Sequence, residues 1–485
     1  MTQDNRQSAG GLTSSLYRPL SDPDMNRIVE DAFRVLAQSG MHVHSKTARE
    51  AFRRAGATVE ESSCRCMLPR GLVEDAIEST PSSVTLFSRN GKADCVLERN
   101  RVHYGTGGTA IYVLDPQTGE RRPSTVADVV LNARMVDTLE NIHLFTINVF
   151  PNDIEQRDDI DVNRFFHAFD NTTKHVMGGV YSAQGCADVV RMAETLAGSE
   201  QALRAKPFVS FITLVISPFK IDDIYGEMTC FLAEKGLPVV VPTEPICGTT
   251  SPVTLAGNVL AHVAETLGGI ALVQAVNKGA PAICGSVGSI TNLRTMNHVG
   301  GAIERAMINA AVAQVAQHLS LPLYSTGGTT DAKAVDVQAS YESAMSSLLV
   351  AMSGANYIHD IAGLMETDLT VSYDKLVVDN EILGMCQRVL RGIEVNDDTL
   401  ATDLMIDKGP GGDYMADEHT VSHMRAEFFD PALANRDARE SAEPNSDALN
   451  RARATVSRLM NAPAQPRIED AMRKRILNAF PGIRR

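Results

Sequence analysis

Residues 322–333 read PLYSTGGTTDAK. The stretch opens as a short apolar strand at Leu323-Tyr324 and closes in glycines, threonines and an aspartate. Glycine adopts backbone angles closed to other residues, so it marks where a strand stops and the chain turns. We read the stretch as the C-terminal end of one β/α unit. Alone it is an ordinary strand-to-helix turn, and its weight comes from how often the chain repeats it.

Further strands begin at Asn356 on one side and at Pro281, Pro238, Phe208, His175, Ile142 and Val102 on the other. Each is short and apolar on both faces, as a fully buried parallel strand must be. Helical periodicity follows each one, over 126–136, 159–169, 184–196, 221–235, 254–277, 298–319, 335–353 and 374–392. Thr125 with Asp128 forms a capping-box signal at the first of these helices. Eight strand–helix units over residues 101–395 predict an α/β fold, a (β/α)8 TIM-type barrel. An open doubly wound sheet is the alternative. The barrel is preferred because no G-x-G-x-x-G follows an early strand, Gly105-x-Gly107-Gly108 being only a partial match.

The flanks read differently. Residues 1–20 are polar and Gly/Ser-rich, a flexible arm. Residues 21–100 form a helical lead-in and then a β-hairpin turning at Asn90-Gly91. Residues 396–485 are a charged, mainly helical C-terminal extension, and a homo-oligomer is expected.

The chain has 485 residues, 44% hydrophobic and 21% charged, with a net charge of -14. That balance speaks against a nucleic-acid binder, which needs a basic face. No apolar run reaches the roughly 20 residues that span a bilayer, and the N-terminus lacks a secretory pattern, so a cytoplasmic enzyme is expected. The eight cysteines include no C-x-x-C pair, and no H-E-x-x-H occurs. Reduced thiols and no metal site follow. His419 and His423, four apart, lack an evident third ligand.

A barrel places its site at the C-terminal strand ends. Those ends carry Thr106 to Thr109, Asn148, Gly178 to Tyr181, Ser217, Thr243-Glu244, Gly285-Ser286, Ser325 to Thr330 and His359-Asp360. The ionisable candidates are Glu244, His359, Asp360 and Asp331. Asp360 should face away from His359 in a regular strand. Tyr104, Phe145, Tyr181, Phe211 and Tyr324 are the aromatic positions near the mouth, and no catalytic residue is singled out. His175 lies at a strand start, the structural end. A loop such as Ser325 to Thr330 after a late strand also suits phosphate, although no lumenal lysine accompanies it and Lys333 lies beyond the turn.

Longer motifs narrow this. PTEPICGTTSPVTLAGN (242–258), YSTGGTTDAKAVDVQ (324–338), HDIAGLMETDLTVSYDKLVVDNEILGM (359–385), GGDYMADEHTVSHMR (411–425) and NTTKHVMGGVYS (171–182) resemble the trimethylamine methyltransferase family, over about residues 20–439. The resemblance implies a (β/α)8 barrel that moves a methyl group from a methylated amine to the cobalt of a separate corrinoid protein, with no cofactor held tightly by the chain itself. The founding trimethylamine enzymes carry pyrrolysine, in or near positions corresponding to 330–336. This chain has only standard residues there, which resembles the branch using glycine betaine or similar quaternary amines. On that reading Tyr104, Phe211, Tyr324 and Glu244 would face the cation. Asn148, His359 and the donors around Ser325 to Thr329 would hold a carboxylate. Ser325, Gly327, Gly328, Thr329 and Asp331 would face the corrinoid. The alternatives are an enzyme holding a phosphorylated substrate on Ser325–Thr330, or a quaternary-amine binding protein without turnover.

Overall fold

A computed structural model describes residues 11–440 and 447–484. Its centre is a curled, largely parallel sheet. The parallel strands are β1 (Arg101–Tyr104), β2 (Phe145–Thr146), β3 (Val176–Gly179), β4 (Val209–Ile212), β5 (Val239–Thr243), β6 (Ala282–Ser286), β7 (Leu323–Thr326) and β8 (Tyr357–His359). They lie in the order β1, β8, β7, β6, β5, β4, β3, β2, and Leu12–Thr13 pairs antiparallel with β1. Register is fixed by partners such as Thr326 with His359 and Tyr104 with Ile358. Past the end of β1, Gly105 bridges Leu144 in parallel, and His143 N–H donates to Tyr104 C=O at 2.8 Å. Each expected strand is therefore present, in one sheet, with its start moved by at most a few residues.

The helices between strands are α1 (Val126–Thr138), α2 (Arg157–Asn171), α3 (Ala183–Ala197), α4 (Asp223–Lys235), α5 (Leu255–Val276), α6 (Ile303–His318), α7 (Val337–Met352) and α8 (Tyr373–Arg391). The capping box at α1 forms as expected, with Thr125 N–H donating to Asp128 Oδ2 at 2.7 Å. The helix expected over 298–319 starts later. Gly300-Gly301 breaks it, and Asn297–Val299 instead pairs antiparallel with Ser289–Asn292. That hairpin joins Ile246–Cys247 in a small sheet beyond β5 and β6. Another small sheet joins Tyr112–Leu114, Arg121–Pro123, Leu364–Met365 and Thr370–Ser372, from the loops after β1 and β8. Both small sheets grow from segments that follow strand C-termini.

The opposite end is closed. The hairpin of Ser83–Leu86 and Cys95–Glu98 inserts Val84, Leu86, Cys95 and Leu97 against Leu144, Met177, Val240, Ile283, Tyr324 and Tyr357. His175 sits there, between Phe87 C=O and Ser210 Oγ, in a structural position. The lead-in is not purely helical. Asp22–Gln38, Lys46–Arg54 and Arg70–Ser79 alternate with three-residue strands that pair with one another and with Lys220–Ile221. Strands that short leave no readable period.

The lead-in helices cover α5, whose 22 residues have the length and apolar character of a membrane span. That run is longer and more apolar than the sequence reading allowed, but most of it is buried within the protein. It is a core helix.

Candidate functional site

At the C-terminal end of β5–β8 a polar group assembles on an apolar frame. Along β7 and β8, Tyr324, Thr326, Tyr357 and His359 share the inner face, by strand alternation. The Tyr324 and His359 rings stack with centroids 3.7 Å apart. Nε2 of His359 lies 2.7 Å from Thr326 Oγ1, whose proton goes to Ser286 C=O at 3.0 Å. Nε2 is therefore the donor in that pair. The other ring nitrogen, Nδ1, lies 2.7 Å from Asp360 Oδ1.

Asp360 was expected to face away from His359. It does not, because its backbone is left-handed, with φ 60°, and folds the carboxylate back over its neighbour. Gly107 makes room for this. A Cβ there would stand 2.3 Å from Asp360 Oδ1.

Arg305, in the first turn of α6, is buried and reaches the same point. Its Nη2 lies 3.0 Å from Asp368 Oδ2 and 3.8 Å from Asp360 Oδ2, while Nη1 donates to Thr329 Oγ1 at 2.8 Å. Asp368 is delivered by three successive left-handed residues, Glu366, Thr367 and Asp368, with φ of 52°, 56° and 68°. Such backbone is costly and persists where surrounding structure imposes it, often at functional sites.

Glu244 follows β5 and faces the cluster. Its Oε1 lies 3.4 Å from His298 Nε2, and 40% of its side chain is exposed at the mouth. Desolvation by the surrounding protein, only partly countered by Arg305 and reinforced by Asp368 and Asp360, pushes its pKa up to about 7. Burial and the nearby guanidinium push His298 down to about 4, so its ring is neutral. Burial raises Asp368 as well, against the pull of Arg305. The mouth thus gathers three carboxylates, Glu244, Asp360 and Asp368, around one guanidinium.

Of the residues expected to bind substrate, Glu244, Tyr324 and His359 lie in this group, and the others do not. Tyr104 is buried on the outer side of β1. It stacks on His143 at 5.5 Å, its hydroxyl has no hydrogen-bond partner, and it borders a separate cavity of about 800 Å³ shared with α8 and Phe428-Phe429. Phe211 packs on Phe165 of α2, behind the sheet. Asn148 turns its amide to Asn132 of α1 at 3.2 Å. In each case the side chain lies on the helix-facing side, which a count of strand ends does not distinguish.

The loop after β7 is likewise turned inward, and Ser325, Gly327, Gly328 and Thr329 are buried rather than presented to a partner. Ser325 Oγ has no partner. Gly327 N–H donates to His359 C=O at 3.3 Å and Gly328 N–H to Ser346 Oγ at 3.0 Å. Thr330 Oγ1 and Asp331 N–H both donate to the Glu342 carboxylate. Asp331 itself accepts from Gly300 N–H, Gly301 N–H and Thr367 Oγ1, tying the loops together. With these donors committed and two carboxylates at hand, the loop does not form a phosphate cradle.

Arg305, Asp368 and His298 were missed. Arg305 had one signal, a lone charge in the buried, alanine-rich run ERAMINAAVAQVA. His419 and His423 stack at 4.2 Å beside Asp398. Among the described residues no group of His, Cys, Asp and Glu is arranged to hold a metal ion.

The model of the trimethylamine methyltransferase (MTTB) family matches residues 3–484. The chain belongs to the trimethylamine methyltransferase family. A relative named trimethylamine methyltransferase MttB, from Desulfitobacterium hafniense (strain DSM 10664 / DCB-2), is 36% identical over 421 residues, covering 87% of this chain and 84% of the relative. A glycine betaine methyltransferase from strain Y51 of the same species is 30% identical, covering 93% and 94%. The crystal structure of Methanosarcina barkeri monomethylamine methyltransferase (MtmB) aligns with a TM-score of 0.52 at 13% identity, covering 80% of this chain and 79% of that one, a likeness of fold. As a member of the trimethylamine methyltransferase family, this chain is a methyltransferase.

Proposed function

We propose that this methyltransferase takes a methyl group from a quaternary ammonium substrate, the class that includes glycine betaine, and delivers it to Co(I) of a separate corrinoid protein. The observation that carries the reading is the excess of carboxylate at the mouth. Glu244 and Asp368 outnumber Arg305, with Asp360 turned onto His359, in a half-enclosed site beside the Tyr324–His359 stack. A fixed cation is the ligand such a field favours.

The chemistry then needs little acid–base help. The nucleophile attacks the methyl carbon, the C–N bond breaks, and its electron pair stays on nitrogen. The tertiary amine leaves neutral, so no proton is required. The chain's task is to hold the cation with one methyl toward the open mouth. Glu244 and Asp368 supply negative charge, and the stacked Tyr324 and His359 rings with Asp360 a fixed wall. Here the (β/α)8 reading is kept, with Gly105 and Leu144 as the seam of a closed barrel over 101–395, a lead-in over 21–100 and an extension over 396–485. The enzyme is read as cytoplasmic and homo-oligomeric, with its cysteines reduced.

The test is spectroscopic. The protein is mixed with cob(I)alamin under anoxia, and quaternary amines are added singly. Loss of the Co(I) band with growth of methylcobalamin is expected, and D368N should slow it at least tenfold. No transfer from any quaternary amine, with free cobalamin or with a corrinoid protein, overturns the reading.

A further inference from the structure

We infer that the mouth prefers quaternary ammonium ions without a carboxylate, of the choline and tetramethylammonium type, over betaines. The inference rests on the methyl-transfer reading above and narrows its substrate class.

A betaine carboxylate lies only a few ångströms from its nitrogen and must find hydrogen-bond donors beside the cation site. Apart from the Tyr324 hydroxyl, which lies beside Asp360 and Asp368, the groups best placed to serve are committed elsewhere. His359 Nε2 donates to Thr326 Oγ1 at 2.7 Å. Thr329 Oγ1 donates to Gly300 C=O at 2.8 Å while accepting from Arg305. Gly300 and Gly301 N–H both go to Asp331. Gly327 and Gly328 N–H go to His359 C=O and Ser346 Oγ. Asn148 faces α1. Arg305 has both its Nη atoms on Thr329 and Asp368.

Three nitrogens near the site have no hydrogen-bond partner, Arg305 Nε, His298 Nε2 and His359 Nδ1, and all three are sealed from solvent. His298 Nε2 faces Glu244 at 3.4 Å and His359 Nδ1 faces Asp360 at 2.7 Å, so a carboxylate reaching either would meet a carboxylate already there.

What the mouth does offer is acceptors. Glu244 reaches the opening, with Asp360 and Asp368 behind it. A carboxylate only accepts, and beside these groups it would be repelled and unpaired. A hydroxyl tail donates, and Glu244 can receive it. A methyl tail asks for nothing. The same surface that attracts the cationic head therefore rejects an anionic tail, which is how unpaired and repelled groups generate specificity.

The experiment is calorimetric titration of the full chain at pH 8 with choline, tetramethylammonium and glycine betaine, followed by single-turnover methyl transfer to cob(I)alamin with each. Choline and tetramethylammonium should bind at least tenfold more tightly than glycine betaine. E244Q should weaken both cations and narrow the gap to less than threefold. Glycine betaine binding as tightly as choline, or more so, overturns the inference; if it then gives up its methyl group, the methyl-transfer reading stands. A gap unchanged in both E244Q and D368N overturns its assignment to the acidic face. Methyl transfer and binding absent with all three overturns both readings.

Discussion

At position 107 a single methyl group would meet three atoms at once. An ideal Cβ there stands 2.3 Å from Asp360 Oδ1, 2.5 Å from Asp360 N and 2.7 Å from His359 Nδ1. None is the free end of a flexible side chain, since Asp360 is held in a left-handed turn. G107A should therefore lower stability by about 1–3 kcal/mol, the usual range for overpacking. It should also weaken quaternary-amine binding more than tenfold, because the dyad must move. Thermal unfolding and calorimetry on the same preparation check both. In sequence, Gly107 reads only as part of a glycine-rich turn. That His359 and Asp360 converge was not legible, since alternation sends neighbours to opposite faces and only the observed φ reverses it.

The start of α1 was legible. Thr125 and Asp128 have the spacing of a capping box, and both reciprocal bonds form. What their spacing does not say is that Asp128 also binds Arg122 at 2.8 and 2.9 Å and receives the Tyr373 hydroxyl from α8 at 2.6 Å. D128A removes a cap and leaves the buried Tyr373 hydroxyl without an acceptor, while the half-exposed Arg122 keeps its bonds to Asp115 and Pro123. A cap alone is worth about 1 kcal/mol, and an orphaned buried donor about 1–3 kcal/mol. The expected loss is about 3 kcal/mol in urea unfolding. A loss near 1 kcal/mol would mean that the α1–α8 tie contributes nothing. The same limit explains His298. Helical periodicity carried α6 back over it, whereas Gly300-Gly301 and pairing with Ser289–Asn292 put it in a hairpin facing Glu244.

Across the whole molecule, α5 shows how burial changes chemistry. Glu265 lies at its centre, accepting from Ser217 Oγ at 2.6 Å, Phe219 N–H at 3.0 Å and Thr243 Oγ1. Desolvation outweighs these bonds and raises its pKa from 4.5 to about 7. Between those values the folded chain keeps a proton that the unfolded chain has released. The contribution of this group to stability is thus present below about pH 4.5 and declines as pH rises to about 7. E265Q cannot titrate. The melting temperature of the parent should fall relative to E265Q across that window and stay level with it in slope above and below. Parallel curves throughout would show that Glu265 titrates in the fold where it does in the unfolded chain, and would overturn the shift.

The sequence by itself determined the α/β class, the eight strands of the central parallel sheet, the helix that caps at Thr125, and the family. These depend on local periodicity, turn chemistry and long motifs, each carried by contiguous residues. Only the tertiary structure decided the membership of the site. Arg305, Asp360 and Asp368 come together because a buried helix start, one left-handed residue and a left-handed turn aim them at one point. Tyr104, Phe211 and Asn148 lie outside it because the side of the sheet a residue faces depends on the register and curl of strands distant in the chain.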